Sequence, residues 1–279
     1  MRKIFLVILM LLSLVTNAQQ STVIVNSQSQ SHSQSYIKSY WHSGLTVLGQ
    51  PLHYDWKDWT VFAGLATATT FAFVYDDEIY DVVNSTFTNS QSNTISQYTD
   101  IFGEELFIVP SIALTYAVGA IDKNQRLKNL SLATLQSFIF AEVASAGIKV
   151  LTCRERPSEA NAQQPTANSQ NWLGPFASFE STSFVSGHAT KAFAFATTIA
   201  GFYPEKKWVG LVSYTLAAAT SVGRVIANEH WTSDVIVGAA LGYFIGRGVV
   251  IFNERIGNIA AVKIEPIATN YGFGIALRF

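Results

Sequence analysis

Three short stretches hold nearly all the residues of this chain that could do chemistry. The first, "KVLTCRERP", sets Lys149 and Arg156 seven residues apart. On a helix that is two turns, so both cations could point the same way, and Pro157 would then stop the helix. In the second, "VSGHATKAF", Ser186, Gly187 and His188 stand where an apolar helical run begins. A helix N-terminus offers unpaired backbone N–H groups and a partial positive charge, which suits an anion. A glycine there lets the backbone come close to a ligand. The third, "RVIANEHWTSD", brings together Arg224, Glu229, His230 and Asp234 in a chain of which only 13% is charged. His230 and Asp234 are four apart, so the carboxylate could reach one imidazole nitrogen and fix the tautomer. Thr232 or Ser233 could cap the helix that follows.

Taken singly, each stretch has a plainer reading: a solvated helix end, a structural histidine, a surface His/Asp pair. Together they supply three cations, backbone N–H donors, an Asp-oriented histidine and a second histidine. That is an inventory for phosphoryl transfer without a metal, in which one histidine attacks and the other protonates the leaving oxygen. No Asp/Glu cluster with the spacing of a magnesium site accompanies it. The only cysteine, Cys153, excludes an internal disulfide framework and a Cys-based zinc site. A formal net charge of −1 points to no nucleic-acid partner.

The elements that must position these residues are apolar. Hydrophobic residues make up 49% of the 279, and six stretches of helical length are nearly free of charge: Trp59–Tyr75, Leu106–Ile121, Leu130–Ile148, His188–Tyr203, Trp208–Val222 and Asp234–Phe252. They are rich in Ala, Leu, Phe and Gly, which favours buried helices over strands. The expected fold is all-α, a bundle of about six core helices that is apolar and a candidate for membrane spanning, with a short β-like C-terminal tail. Alternation in "YGFGIALRF" predicts one or two strands there, read as an edge hairpin.

The start, "MRKIFLVILMLLSLVTNAQQ", has a positive n-region at Arg2 and Lys3, an apolar h-region and a small-residue site ending at Ala18. Its apolar run is shorter than the ~20 residues of a span, so residues 1–18 read as a cleaved signal peptide and the chain as exported. Residues 19–58 read as a polar flexible leader and an aromatic interfacial segment, 59–252 as the helical catalytic domain, and 253–279 as the tail. By the positive-inside rule, Lys123, Arg126, Lys128, Lys206, Lys207, Arg247 and Arg255 would face the cytoplasm and the three motifs the periplasm. A cleaved leader leaves Gln19 outside, yet the Trp59 helix would have to start inside. Either one apolar segment does not cross, or the bundle is a soluble or peripheral periplasmic domain.

Lys149-x6-Arg156-Pro157, Ser186-Gly187-His188 and Arg224-x5-His230-x3-Asp234 together resemble the three-part signature of the type 2 phosphatidic acid phosphatases. Bacterial class A acid phosphatases and vanadium haloperoxidases belong to the same superfamily. The resemblance covers roughly residues 59–252, and it implies an α-helical bundle and no cofactor or metal. It also implies that His230 is the nucleophile that becomes phosphohistidine, that Asp234 orients it, and that His188 is the general acid that later activates water. Lys149, Arg156, Arg224, Ser186 and the Gly187 N–H would hold the phosphoryl oxygens. Val185 stands where the family commonly has Pro, and Gly223 where it commonly has Ser; the latter removes a hydroxyl that would help bind phosphate. Glu229 has no role by resemblance.

The implied activity is hydrolysis of a phosphate ester, with a phospholipid, a polyprenyl diphosphate or lipid A as substrate, at the outer side of the inner membrane of a bacterial envelope. A soluble periplasmic acid phosphatase acting on small phosphate esters is the alternative within the family. The export signal and apolar bundle argue against a haloperoxidase, and retention of both histidines argues against a non-catalytic envelope scaffold.

Overall fold

The computed structural model describes residues 36–159, 168–177, 182–256, 263–269 and 272–278; the expected signal peptide lies outside these. Among the described residues the chain runs through α1 (Tyr36–Gly49), α2 (Trp56–Thr86), α3 (Asn89–Thr99), α4 (Glu105–Ile121), α5 (Gln125–Thr152), α6 (Gly187–Phe202), α7 (Lys207–Ile226) and α8 (Thr232–Ile256), then β1 (Lys263–Thr269) and β2 (Gly272–Arg278). All six apolar segments lie in helices, α2 and α4 through α8, and the two strands form an antiparallel hairpin in which Lys263 faces Arg278. Two helices fall outside the six apolar segments, the first of them within the residues read as leader and interfacial segment. One is α1. The other is α3, which starts at a capping box: the Thr88 side chain accepts from the Gln91 N–H, while the Gln91 side chain accepts from the Thr88 N–H. Asn124 and Ser186 cap α5 and α6 in the same manner, each side chain accepting from an N–H three residues on.

At the centre of the bundle lies α6, packed on α5, α7 and, most extensively, α8. The contact with α8 is made by backbone. Gly238, Gly242 and Gly246 stand four apart on one face of α8, opposite Ser186, Thr190 and Ala194 of α6. A Cβ at Gly238 would lie 2.6 Å from the Ser186 carbonyl oxygen, and one at Gly246 would lie 2.7 Å from that of Ala194. At Gly242 the overlap with the Thr190 carbonyl would be worse still. Some of the Ser and Thr residues in the apolar helices serve the same packing. Ser137 of α5 and Thr198 of α6 share a buried hydrogen bond of 2.7 Å, and the Ser131 hydroxyl donates to the Ile112 carbonyl at 2.8 Å.

Helices α6 and α8 start at one end of the bundle, where α5 and α7 finish. The Asp58–Arg247 ion pair fixes the start of α2 at the opposite end, so α2 climbs toward the motif-bearing end. Four stretches are long and apolar enough to cross a membrane: Ser90–Ile121, Gln125–Thr152, Lys207–Ile226 and Thr232–Glu254. Leu106, Ile121, Val143, Leu211 and Val222 project outward from them, a surface that a bilayer covers at no cost and water does not. The chain is built as a membrane protein. Among the described residues, α2 and the 16-residue α6 are not part of this set.

A Gly242→Ala substitution should lower the unfolding temperature in detergent, at a cost of about 1–3 kcal/mol for the overpacked helix contact. Gly64→Ala, the same change where a Cβ meets nothing within 4 Å, should leave it unchanged or slightly raised.

Candidate active site

Helix α5 ends earlier than the spacing of Lys149 and Arg156 suggests. Cys153 turns into the left-handed region with φ 44°, its N–H closing on the Lys149 carbonyl at 2.9 Å. Beyond it the chain pairs with another segment instead of continuing the helix. The Leu173 N–H donates to the Cys153 carbonyl and the Glu155 N–H to that of Asn171, both at 3.1 Å. Lys149 is therefore on the helix and Arg156 in the irregular segment after it, so the expected two-turn helical alignment is replaced by a turn that aims both at the same end. Pro157 opens a short 3-10 turn and does not end the helix.

The residue between the two named cations, Arg154, is fully buried and ties the site together. Its Nη1 donates to Asp234 Oδ1 at 2.6 Å and to Ser233 Oγ at 2.8 Å, its Nη2 to Asp76 Oδ2 at 2.8 Å, and its Nε to the Ser169 carbonyl at 2.9 Å. Trp172, Phe73 and Trp231 surround the guanidinium at 4.9, 5.1 and 5.4 Å from their ring centres. Two buried carboxylates sharing one buried guanidinium form a cluster that holds only while every member is paired.

Asp234 is fixed by this network more than by its histidine. Besides Arg154, its carboxylate accepts from the Ser183 hydroxyl and from the Trp231 N–H at 2.8 Å. His230 Nδ1 lies 3.8 Å from Asp234 Oδ2, beyond hydrogen-bond length, so the expected His/Asp pair is adjacent but loose. Thr232 and Ser233 do not cap α8; both lie in its first turn, and Ser233 turns instead to Asp76 and Arg154. His230 itself is buried, which pushes its pKa down to about 4; Asp234 opposes the shift, and Lys149 and Arg224 reinforce it. At neutral pH the imidazole is uncharged, with a free lone pair.

The start of α6 joins this frame through the Ser186 N–H, which donates to the Asp234 carbonyl at 3.1 Å. The Ser186 hydroxyl caps the helix, and a Cβ on Gly187 would stand 3.8 Å from Lys149 Nζ. At the second position of α6, His188 Nε2 meets Glu104 Oε1 at 3.0 Å, with Gly103 packed so closely on the ring that a Cβ there would reach 2.8 Å from His188 Cδ2. Burial and Arg224 hold the His188 pKa below its usual value, and the Glu104 hydrogen bond works against them. Arg224, at the end of α7, donates to Asp100 Oδ2 at 2.6 Å, and the Glu229 carboxylate contacts both Arg156 and Arg224. The Nε–H groups of both arginines are buried without a partner among the described residues. Such donors suit a bound oxyanion.

All eight expected residues thus meet at one end of the bundle. The pattern also explains Gly223: a side chain there would collide with the Thr99 hydroxyl of α3, so a serine does not fit. Sequence reasoning missed Arg154, Asp76, Ser183 and Glu104. Arg154 was visible as an unassigned charge inside "CRERP", and Asp76 as a carboxylate ending an apolar run. Nothing local marked Ser183 or Glu104.

The PAP2 superfamily model matches residues 130–257. The match takes in just under half of the chain. The matched residues run from α5 to the end of α8, and these helices with the connections between them carry every motif residue. A lipid A 1-phosphatase of Porphyromonas gingivalis is 41% identical over 66 residues, a match that covers 23% of this chain and 15% of that protein. Two solved structures align more broadly. The first transmembrane PAP2-type phosphatidylglycerolphosphate phosphatase from Bacillus subtilis is 20% identical with a TM-score of 0.47, over 79% of this chain and 96% of that one. Aquifex aeolicus LpxE is 19% identical with a TM-score of 0.44, over 62% and 93%.

Replacing Arg154 by Met leaves the Asp76 and Asp234 carboxylates buried without their cation, and should cost about 3–5 kcal/mol of stability. Thermal unfolding in detergent measures it. Adding Asp76→Asn should recover part of the loss, since the two residues act as one unit.

Proposed function

We propose that this chain is a phosphatase that hydrolyses a phosphate ester of a membrane lipid through a phosphohistidine on His230. The observation that carries the reading is the meeting of an uncharged, buried histidine with Lys149, Arg156, Arg224 and the α6 N-terminus at one end of an apolar bundle. In this mechanism Nε2 of His230 attacks phosphorus while the bond to the leaving oxygen breaks. A proton from His188 neutralises the departing alkoxide. Lys149, Arg156, Arg224, Ser186 and the Gly187 N–H stabilise the charge on the equatorial oxygens. His188, now neutral, takes a proton from water as that water attacks the phosphohistidine; phosphate leaves and His230 is restored. Asp234 acts from a fixed position, holding the start of α8 against α6 and favouring the imidazolium character that develops on His230.

An apolar cleft supports a lipid as substrate. It has a volume of about 120 Å³, begins at Phe102 beside the residue that backs His188, and continues past Ala192, Phe195, Leu114, Val118 and Trp208 between α4 and α7. The helices on both sides belong to stretches long enough to cross a membrane, so a hydrocarbon chain could lie there with its phosphate at His230. The short match to a lipid A 1-phosphatase makes a lipid A phosphate the first substrate to test. Arg126 and Glu205 pair at the end of the bundle opposite the site, near Lys206 and Lys207. By the positive-inside rule that end is cytoplasmic and the site periplasmic.

Phosphate release by purified protein from lipid A, phosphatidic acid and a polyprenyl diphosphate, beside a soluble phosphomonoester, tests the reading. His230→Ala should abolish release, and His188→Ala should lower it by about 10²–10⁴ while accumulating an acid-labile phosphoenzyme. Turnover of the soluble ester alone would exclude the lipid assignment. A pH profile adds a second test. His188 must carry a proton to act as an acid, so activity falls as pH rises through its pKa. Glu104→Gln removes the partner that raises this pKa, and should therefore move the alkaline limb to lower pH. A limb that stays in place would exclude Glu104 from this role.

A further inference from the structure

Glu229 is the charged residue of the third motif that the reaction leaves unused. It lies in the turn between α7 and α8, whose backbone is pinned from two sides: its own N–H donates to the Arg224 carbonyl at 3.1 Å, and the Ser158 N–H donates to that of Asn228 at 2.9 Å. The side chain is one-third exposed. Its Oε2 pairs with Arg156 Nη1 and lies 3.4 Å from Arg224 Nη2, so one carboxylate spans two of the three cations assigned to the phosphoryl group. Asp100, the other carboxylate on Arg224, is differently placed: it is mostly buried and also accepts from the Ser96 hydroxyl at 2.5 Å. Asp100 is anchored from behind. Among the described residues, the polar partners of the Glu229 side chain are the two guanidinium groups, and that side chain is partly exposed.

We infer that Glu229 is a carboxylate gate on the phosphate cradle, competing with the phosphoryl group for Arg156 and Arg224 and so weakening the hold on inorganic phosphate. The inference rests on the phosphatase reading above. A phosphoryl group that draws on the Nη donors of both arginines, and not only on their unpartnered Nε–H groups, must displace the carboxylate from Arg156 Nη1 and Arg224 Nη2, and the carboxylate can retake them when the ester bond is gone. Because two negative groups cannot share these donors at close range without a Coulombic penalty, the gate weakens substrate and product alike. Its benefit falls on product, since a cradle of three cations and a helix N-terminus would otherwise retain phosphate. The rim position suits this: the side chain can swing into water without breaking the buried frame around Arg154.

The test compares wild type with Glu229→Gln, which keeps shape and removes charge. Inorganic phosphate and orthovanadate are used as competitive inhibitors of phosphate release, at low and high salt. The gate predicts inhibition constants up to about fivefold lower in Glu229→Gln, the upper range for a solvent-exposed charge pair, a lower KM, a kcat that does not rise, and a difference that shrinks as salt increases. If Glu229 merely holds the arginines in position, Glu229→Gln would raise both inhibition constants and KM; that result, or no change, overturns the inference. Glu229→Asp, which keeps the charge on a shorter arm, should stay close to wild type in its inhibition constants. Wild type that neither turns over substrate nor binds vanadate, measured directly by calorimetry, would instead overturn the parent reading.

Discussion

The contact on which the arrangement depends is the backbone seam between α6 and α8. Three glycines in successive turns of α8 let it lie against the carbonyls of α6, closer than any side chain would permit. Both helices begin at the same end, so the seam sets two helix N-termini side by side and delivers Ser186, Gly187 and His188 of one next to His230 and Asp234 of the other. The hydrogen bond from the Ser186 N–H to the Asp234 carbonyl fixes the register. In an environment where apolar surface gains little by leaving lipid, van der Waals contact of this kind and interhelical hydrogen bonds supply the association. The buried Ser137–Thr198 bond between α5 and α6 is an instance of the second.

Upon this seam the chain builds one dry ionic frame and one partly open cluster of cations, the proposed phosphate cradle. The frame is Arg154 with Asp76 and Asp234, walled by three aromatic rings and closed to solvent. It links α2, the end of α5 and the start of α8, and it is what keeps the Asp234 carboxylate still. The cradle is Lys149, Arg156, Arg224 and the start of α6, with Glu229 and Asp100 on its edge. The division has a physical basis. Charges that must not move are paired and desolvated, whereas charges that must exchange partners sit where water can replace what they lose. His230 lies at the boundary, buried enough to stay neutral and near enough to the cations to face an anion.

The exterior completes the logic. Outward apolar side chains on the long helices suit a bilayer, and polar chemistry is gathered at one end of the bundle. A phosphorylated lipid has the same polarity, with its charge at one end and its hydrocarbon along the axis. In the proposed reaction, the cleft beside α6 would take the apolar half and the cradle the phosphate.

The sequence by itself determined the chemistry on offer and the material that frames it. The three motifs named two histidines, one aspartate and three cations by type and spacing, and the six apolar runs named the helices that carry them, because both are local properties of the chain. It also held clues whose meaning was not local: the four-residue glycine spacing in α8 and the extra arginine between Lys149 and Arg156. Which of two neighbouring arginines would be buried could not be read from spacing, since Arg154 is internal only because Asp76, about eighty positions earlier, and Asp234, about eighty later, arrive to neutralise it. Glu104 and Gly103 likewise acquire a role only when the 3-10 turn before α4 packs on His188. Only the tertiary structure decided these, because burying a charge is unfavourable until its partner is in place, and the partners here come from distant parts of the chain.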